Sequence, residues 1–133
     1  MLKKGQTAII GVDFDGTCVT HEFPYIGKSI GAEGVLKELV ARGHKLVLFT
    51  MRSFKDNSLR DALEWFKERD IQLWGINENP DQHTWTSSPK AYCMLYIDDA
   101  AVGCPLIHDE SMSSRGFVDW GEVRGILKSL GIL

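Results

Sequence analysis

The chain alternates between short, wholly apolar runs and stretches in which apolar residues recur three and four positions apart. Residues 8–12, the run Lys45-Leu46-Val47-Leu48-Phe49, residues 71–76 and residues 91–97 lack the polar alternation of a half-exposed strand, as expected of strands buried on both faces of a parallel sheet. Between them, Val35, Leu36, Leu39 and Val40 mark one face of a helix over 32–42 that Gly43 stops. Leu59, Ala62, Leu63 and Phe66 stripe a second helix over 58–69, where Ser58 and Asp61 have the spacing of a capping box. Asp119 with Glu122 caps a third, bearing Val123, Ile126, Leu127 and Leu130. Pro105-Leu106-Ile107 reads as a short edge strand, while 18–30, 81–90 and 108–116 read as loops.

Strands alternating with helices imply right-handed crossovers and a mostly parallel central sheet: an α/β, three-layer, Rossmann-like fold with helices on both faces. At 133 residues the chain is expected to form one domain, 1–133. Ligands of such sheets bind at the carboxyl ends of the strands. Here those ends carry Asp13 with Asp15, Thr50 with Arg52, Asn77, and Asp98 with Asp99.

The first ending is the most informative. Asp13 and Asp15 are two apart, so on an extended chain both side chains point the same way. Gly16 then lets the backbone bend, and Thr17 can turn its hydroxyl inward. Two carboxylates about 4 Å apart repel by about 4 kcal/mol at an effective dielectric of about 20, so such a pair calls for a cation or a shared proton. Asp15-Gly16 alone is an ordinary turn signal; the repetition of polar endings on one edge is what points to a site. If these edges converge, four acids with Lys90 nearby form a hard-oxygen pocket suited to Mg²⁺. With neither histidines nor cysteines clustered there, zinc is not expected. A carboxylate nucleophile beside a metal, a lysine and a hydroxyl is equipment for phosphoryl transfer.

Composition narrows the partners. The formal net charge of −3, with no Lys or Arg run, argues against an extended nucleic-acid surface. Cys18, Cys93 and Cys104 form no C-x-x-C pair and are expected to be reduced thiols, Cys18 as a small buried residue near the site. The N-terminal apolar run is too short for a signal peptide or membrane span, so a cytoplasmic location is expected.

In order along the chain, Asp13-Phe14-Asp15-Gly16-Thr17, Thr50, Lys90 and Asp98-Asp99 resemble the four motifs of the haloacid dehalogenase superfamily, over roughly the whole chain. The resemblance implies that Asp13 attacks phosphorus to form an aspartyl phosphate, while Asp15 protonates the leaving group and then activates water. It implies that Thr50 bonds a phosphoryl oxygen and that Lys90, or Lys55 in its place, neutralises developing charge. Asp13, the residue 15 carbonyl, Asp98, and Asp99 through water would hold Mg²⁺. An acid at position 15 favours a phosphatase over a dehalogenase or pump ATPase. The segments 18–30 and 77–90 are too short for the inserted cap of most relatives. A capless member implies an accessible site, a phosphorylated small molecule or bulky phosphomonoester as substrate, or a homo-oligomer whose neighbour supplies the lid.

Arg52, His21, Asn77, Asn79 and His83 fall on loops over the same edge and are candidates for substrate contact. Trp85 and Tyr25 can stack on a base or sugar, or plug a core edge. Trp65 and Trp74 are assigned to packing. Two other classes remain open: a phospho-acceptor signalling domain of receiver type, and a binding protein that keeps the fold without turnover.

Overall fold

The computed structural model describes residues 2, 3 and 5–133. Four strands, β1 (Ile9–Asp13), β2 (Lys45–Phe49), β3 (Gly75–Ile76) and β4 (Leu95–Ile97), form a parallel sheet in the order β3-β2-β1-β4. Three helices, α1 (Ala32–Ala41), α2 (Ser58–Glu68) and α3 (Trp120–Ser129), complete an α/β, Rossmann-like architecture. The register pairs Asp13 with Phe49 and Val12 with Ile97, so Thr50 and Asp98 each begin one step beyond the last pair, on the edge where Asp13 ends.

The two faces of the sheet differ. Ile10, Val12, Leu46 and Leu48 are fully buried in one cluster with Leu36 and Leu39 of α1, Trp65 and Phe66 of α2, and Trp120 and Leu127 of α3. Phe14 continues that face and meets Trp65 edge-on at 5.7 Å between ring centroids. The opposite face carries Gly11, Val47, Phe49 and Tyr96, and a Cβ on Gly11 would sit 2.5 Å from the Phe49 ring. It is crossed by the β3–β4 connection, which contains only a 3₁₀ turn at Gln82–Thr84 and leaves Tyr96 41% exposed. The expected third layer is therefore an irregular segment in place of a helix. Pro80 and the turn-forming Asn and Ser residues of 77–90 break any helical period there.

Other boundaries also shift. Ile71–Trp74 precede β3 without joining it, although the Trp74 N–H donates to the Leu46 carbonyl at 2.6 Å. The strand at Leu106–Ile107 (β5) does not extend the central sheet; it pairs antiparallel with Phe117–Val118 (β6) across the 108–116 loop. Ser58 is not the α2 cap, because it lies inside the first turn, where its N–H is taken by Asp56 Oδ1 at 2.8 Å. Asp119 does cap α3, accepting from the Glu122 N–H at 3.1 Å. Ile126 of that helix faces outward, 44% exposed. Among the described residues no helix is long and apolar enough to cross a membrane.

Buried His44 ties the two ends of the chain together. The Ala8 N–H donates to its Nδ1 at 2.9 Å, which fixes the hydrogen on Nε2, and this donates to the Ile132 carbonyl at 2.8 Å. His44→Ala leaves a buried donor and acceptor unmatched and is expected to cost about 2–4 kcal/mol in urea denaturation; an unchanged midpoint would refute this pin.

Candidate active site

The carboxyl edge of the sheet opens into a cleft of about 380 Å³ lined by Asp13, Asp15, Thr50, Arg52, Asp98, Asp99 and Arg115, with His21, Phe23, Met51 and Ala100 completing it. Gly16 is what permits the crowding: its φ of +83° turns the chain, and a Cβ there would meet Asp99 Oδ2 at 2.4 Å. The turn is held from below, since the Gly16 carbonyl accepts from the Val118 N–H at 3.0 Å and the Thr17 carbonyl from Trp120 Nε1 at 2.7 Å.

Carboxylate oxygens of Asp13, Asp98 and Asp99 lie within 4.8 Å of one another. Thr17 does turn inward. Its Oγ1 lies 2.9 Å from Asp13 Oδ2 and 3.2 Å from Asp99 Oδ1, and it accepts from the Asp99 N–H at 3.0 Å. One hydroxyl proton serves only one carboxylate at a time, so the triad keeps a surplus of negative charge. Burial first, then the hydrogen bond to Asp99 and the charge of Asp98, push the Asp13 carboxyl up to about 8. Three hard carboxylate oxygens within 4.8 Å of one another fit a divalent cation such as Mg²⁺.

Asp15 is excluded from that triad. Both its oxygens are gripped by Arg52, Nε to Oδ2 at 2.8 Å and Nη2 to Oδ1 at 2.7 Å. Arg52 is 2% exposed, and its other N–H groups go to the carbonyls of Pro24 and Ser58 from Nη1 and of Tyr25 from Nη2. Phe14 and Phe23 stack on its guanidinium, which lies 5.0 and 5.3 Å from the ring centroids. All five donors are thereby engaged within the protein, so the expected role of Arg52 in substrate contact is not supported. The side chain of Asp15 likewise does not join the acids that could hold the metal.

Thr50 lines the cleft; its Oγ1 accepts from the Arg52 N–H at 3.1 Å, and among the described residues the hydroxyl donates to none. Asn77, with φ at +56°, holds the Thr50 N–H through Oδ1 at 2.9 Å, so it supports the threonine and does not line the cleft. Asn79 is buried and braces the β3–β4 connection by donating to the Tyr92 carbonyl at 3.1 Å. His83 lies apart on the 3₁₀ turn, bonded to the Pro80 carbonyl. Lys90 also lies outside the cleft, with Nζ over the Tyr96 ring at 5.7 Å. Without a helix between β3 and β4, nothing carries Lys90 to the carboxyl edge, and it stays with the segment crossing the sheet face. Lys55, the substitute, is exposed and does not line the cleft either.

Arg115 was not foreseen. It sits in the β5–β6 loop with no motif around it, and only the docking of β6 on the Gly16 turn brings it over the edge. Cys18 is fully buried with Sγ on the Asp13 carbonyl at 3.3 Å, and burial pushes its thiol well up, which suits packing and not nucleophilic attack. All three cysteines are free.

No protein-family model matches the chain, and no curated protein does. A solved structure, that of a conserved protein from Bacteroides thetaiotaomicron, is similar at 33% identity and a TM-score of 0.73, over 93% of this chain and 92% of that one.

Two outcomes follow from the charges. With its pKa raised, folded Asp13 holds a proton that the unfolded chain releases near pH 4, so its contribution to stability is complete below pH 4 and is lost as pH rises toward 8. Metal-free Asp13→Asn is therefore expected to exceed wild type by about 1–3 kcal/mol at pH 8 and to lose that advantage at acid pH, while added Mg²⁺ stabilises only wild type; equal pH profiles in denaturation would contradict this. Arg52→Lys keeps the charge but not the fork, and is expected to destabilise by about 3 kcal/mol in the same assay.

Proposed function

This chain belongs to the same family as the conserved Bacteroides thetaiotaomicron protein, and we propose that it is a Mg²⁺-dependent phosphomonoesterase, a capless phosphatase similar to the haloacid dehalogenase superfamily. The observation that carries the proposal is the gathering of Asp13, Asp98 and Asp99 within 4.8 Å at the carboxyl edge of the sheet, at the end of the DxDGT turn. Asp98 and Asp99, with Asp13, would hold the cation. When bound, it would neutralise phosphoryl oxygens and relieve Asp13 of its proton.

A carboxylate oxygen of Asp13 attacks phosphorus, the bond to the ester oxygen breaks, and the departing alkoxide takes its proton from water in the open cleft. Thr17 and the Gly16 turn aim Asp13, and the Thr50 hydroxyl donates to a non-bridging oxygen. Water then attacks phosphorus, the bond to Asp13 breaks, and the water proton passes to Asp15. The fork of Arg52 occupies one acceptor position on each Asp15 oxygen, leaving others to receive that proton. An open cleft over short loops admits a bulky phosphomonoester.

The Arg52 grip also favours one second reading. An Asp15 held too firmly to act as base would leave Asp13 phosphorylated, as in a phospho-acceptor domain.

The test is release of phosphate from p-nitrophenyl phosphate. Wild type with Mg²⁺ is expected to turn over, EDTA to abolish activity, and Asp13→Asn to lower kcat by at least about 10³-fold. An inert wild type across sugar, nucleotide and lipid phosphates would reject the phosphatase, and a long-lived phosphorylated Asp13 would select the second reading.

A further inference from the structure

We propose that Arg115, oriented by His21, is the side chain that binds the non-bridging oxygens of the substrate's phosphoryl group, supplying the positive charge that the family resemblance assigns to Lys90. This rests on the phosphatase reading of the same cleft. A phosphomonoester dianion entering among four carboxylates needs positive charge from the protein as well as from the metal. Among the described residues that line the cleft, only His21, Arg52 and Arg115 can carry it. Every N–H of Arg52 is engaged internally. Arg115 has no carboxylate within ion-pairing distance among the described residues, and its one side-chain hydrogen bond there runs from Nη1 to His21 Nε2 at 3.1 Å. Its remaining N–H groups form the planar fork that matches two phosphoryl oxygens.

Arginine can only donate, so His21 Nε2 accepts and the imidazole carries its hydrogen on Nδ1. The imidazole thus steers the guanidinium without competing for the anion. The loop bearing Arg115 is anchored on both sides. The Val118 N–H holds the Gly16 carbonyl at 3.0 Å, and Lys28 Nζ donates to the Met112 carbonyl. His21 follows Val19, which bridges back to Asp15. Both partners are therefore fixed relative to the nucleophile turn, although they lie 94 residues apart in sequence.

The experiment is calorimetric titration of inorganic phosphate into the Mg²⁺-loaded protein, with Mg²⁺ affinity measured separately for each variant. Arg115→Ala is expected to weaken phosphate roughly 10- to 100-fold while leaving Mg²⁺ affinity unchanged. Arg115→Lys is expected to recover part of the loss, and His21→Ala to show a smaller one. With p-nitrophenyl phosphate, Arg115→Ala should raise KM more than it lowers kcat. Phosphate binding by Arg115→Ala equal to wild type would overturn the assignment, as would a parallel loss of Mg²⁺ affinity or a wild type that binds Mg²⁺ but not phosphate. Arg115-dependent phosphate binding without ester hydrolysis would instead keep the assignment and reject the phosphatase.

Discussion

Repulsion among carboxylates is the constraint around which the functional end of this molecule is arranged. The parallel register ends β1 and β4 level with one another, so Asp13, Asp98 and Asp99 cannot avoid sharing space. Each available relief is used differently. The Thr17 hydroxyl offers its one proton to Asp13 or to Asp99, and burial beside the other two acids pushes the Asp13 carboxyl up to about 8. Asp15 is drawn aside by a buried guanidinium that also fastens the Pro24–Tyr25 loop and the start of α2. The same ion pair thus separates the fourth acid from the triad and knits three parts of the chain beneath the cleft. Its geometry is what makes so much buried charge tolerable, since a partner lost from such a pair leaves the other uncompensated.

The unequal coverage of the sheet has consequences for the site. All three helices bury their apolar stripes in a cluster with one face, where Ile10, Val12, Leu46 and Leu48 have no contact with water. The other face has only an irregular crossing segment over Gly11, Phe49 and Tyr96. That economy removes the element on which a third-motif lysine would ride. The β5–β6 ribbon docks Val118 against Gly16, and Trp120 at the start of α3 holds the Thr17 carbonyl. The ribbon therefore braces the Gly16 turn and brings Arg115 to the mouth of the cleft in one piece of structure.

The chain's own pattern of residues determined the core of β1, the whole of β2, the three helices and the acidic strand ends, because burial period and turn chemistry are local: Val12 to Thr17 spells a strand, a pair of acids and a turn within six residues. It also marked Asp13, Asp15, Asp98 and Asp99, with Lys90 nearby, as neighbours in space, since parallel strands bring their carboxyl ends to one edge; the four acids do line one cleft, and Lys90 does not. Tertiary structure alone decided what each charge does. Whether Arg52 faces substrate or grips Asp15 depends on carbonyls of Pro24, Tyr25 and Ser58 that no periodicity announces, and whether Lys90 or Arg115 reaches the cleft depends on which loop has a scaffold behind it. Contacts between residues tens of positions apart are set by packing and by the satisfaction of buried donors, and those are properties of the folded whole.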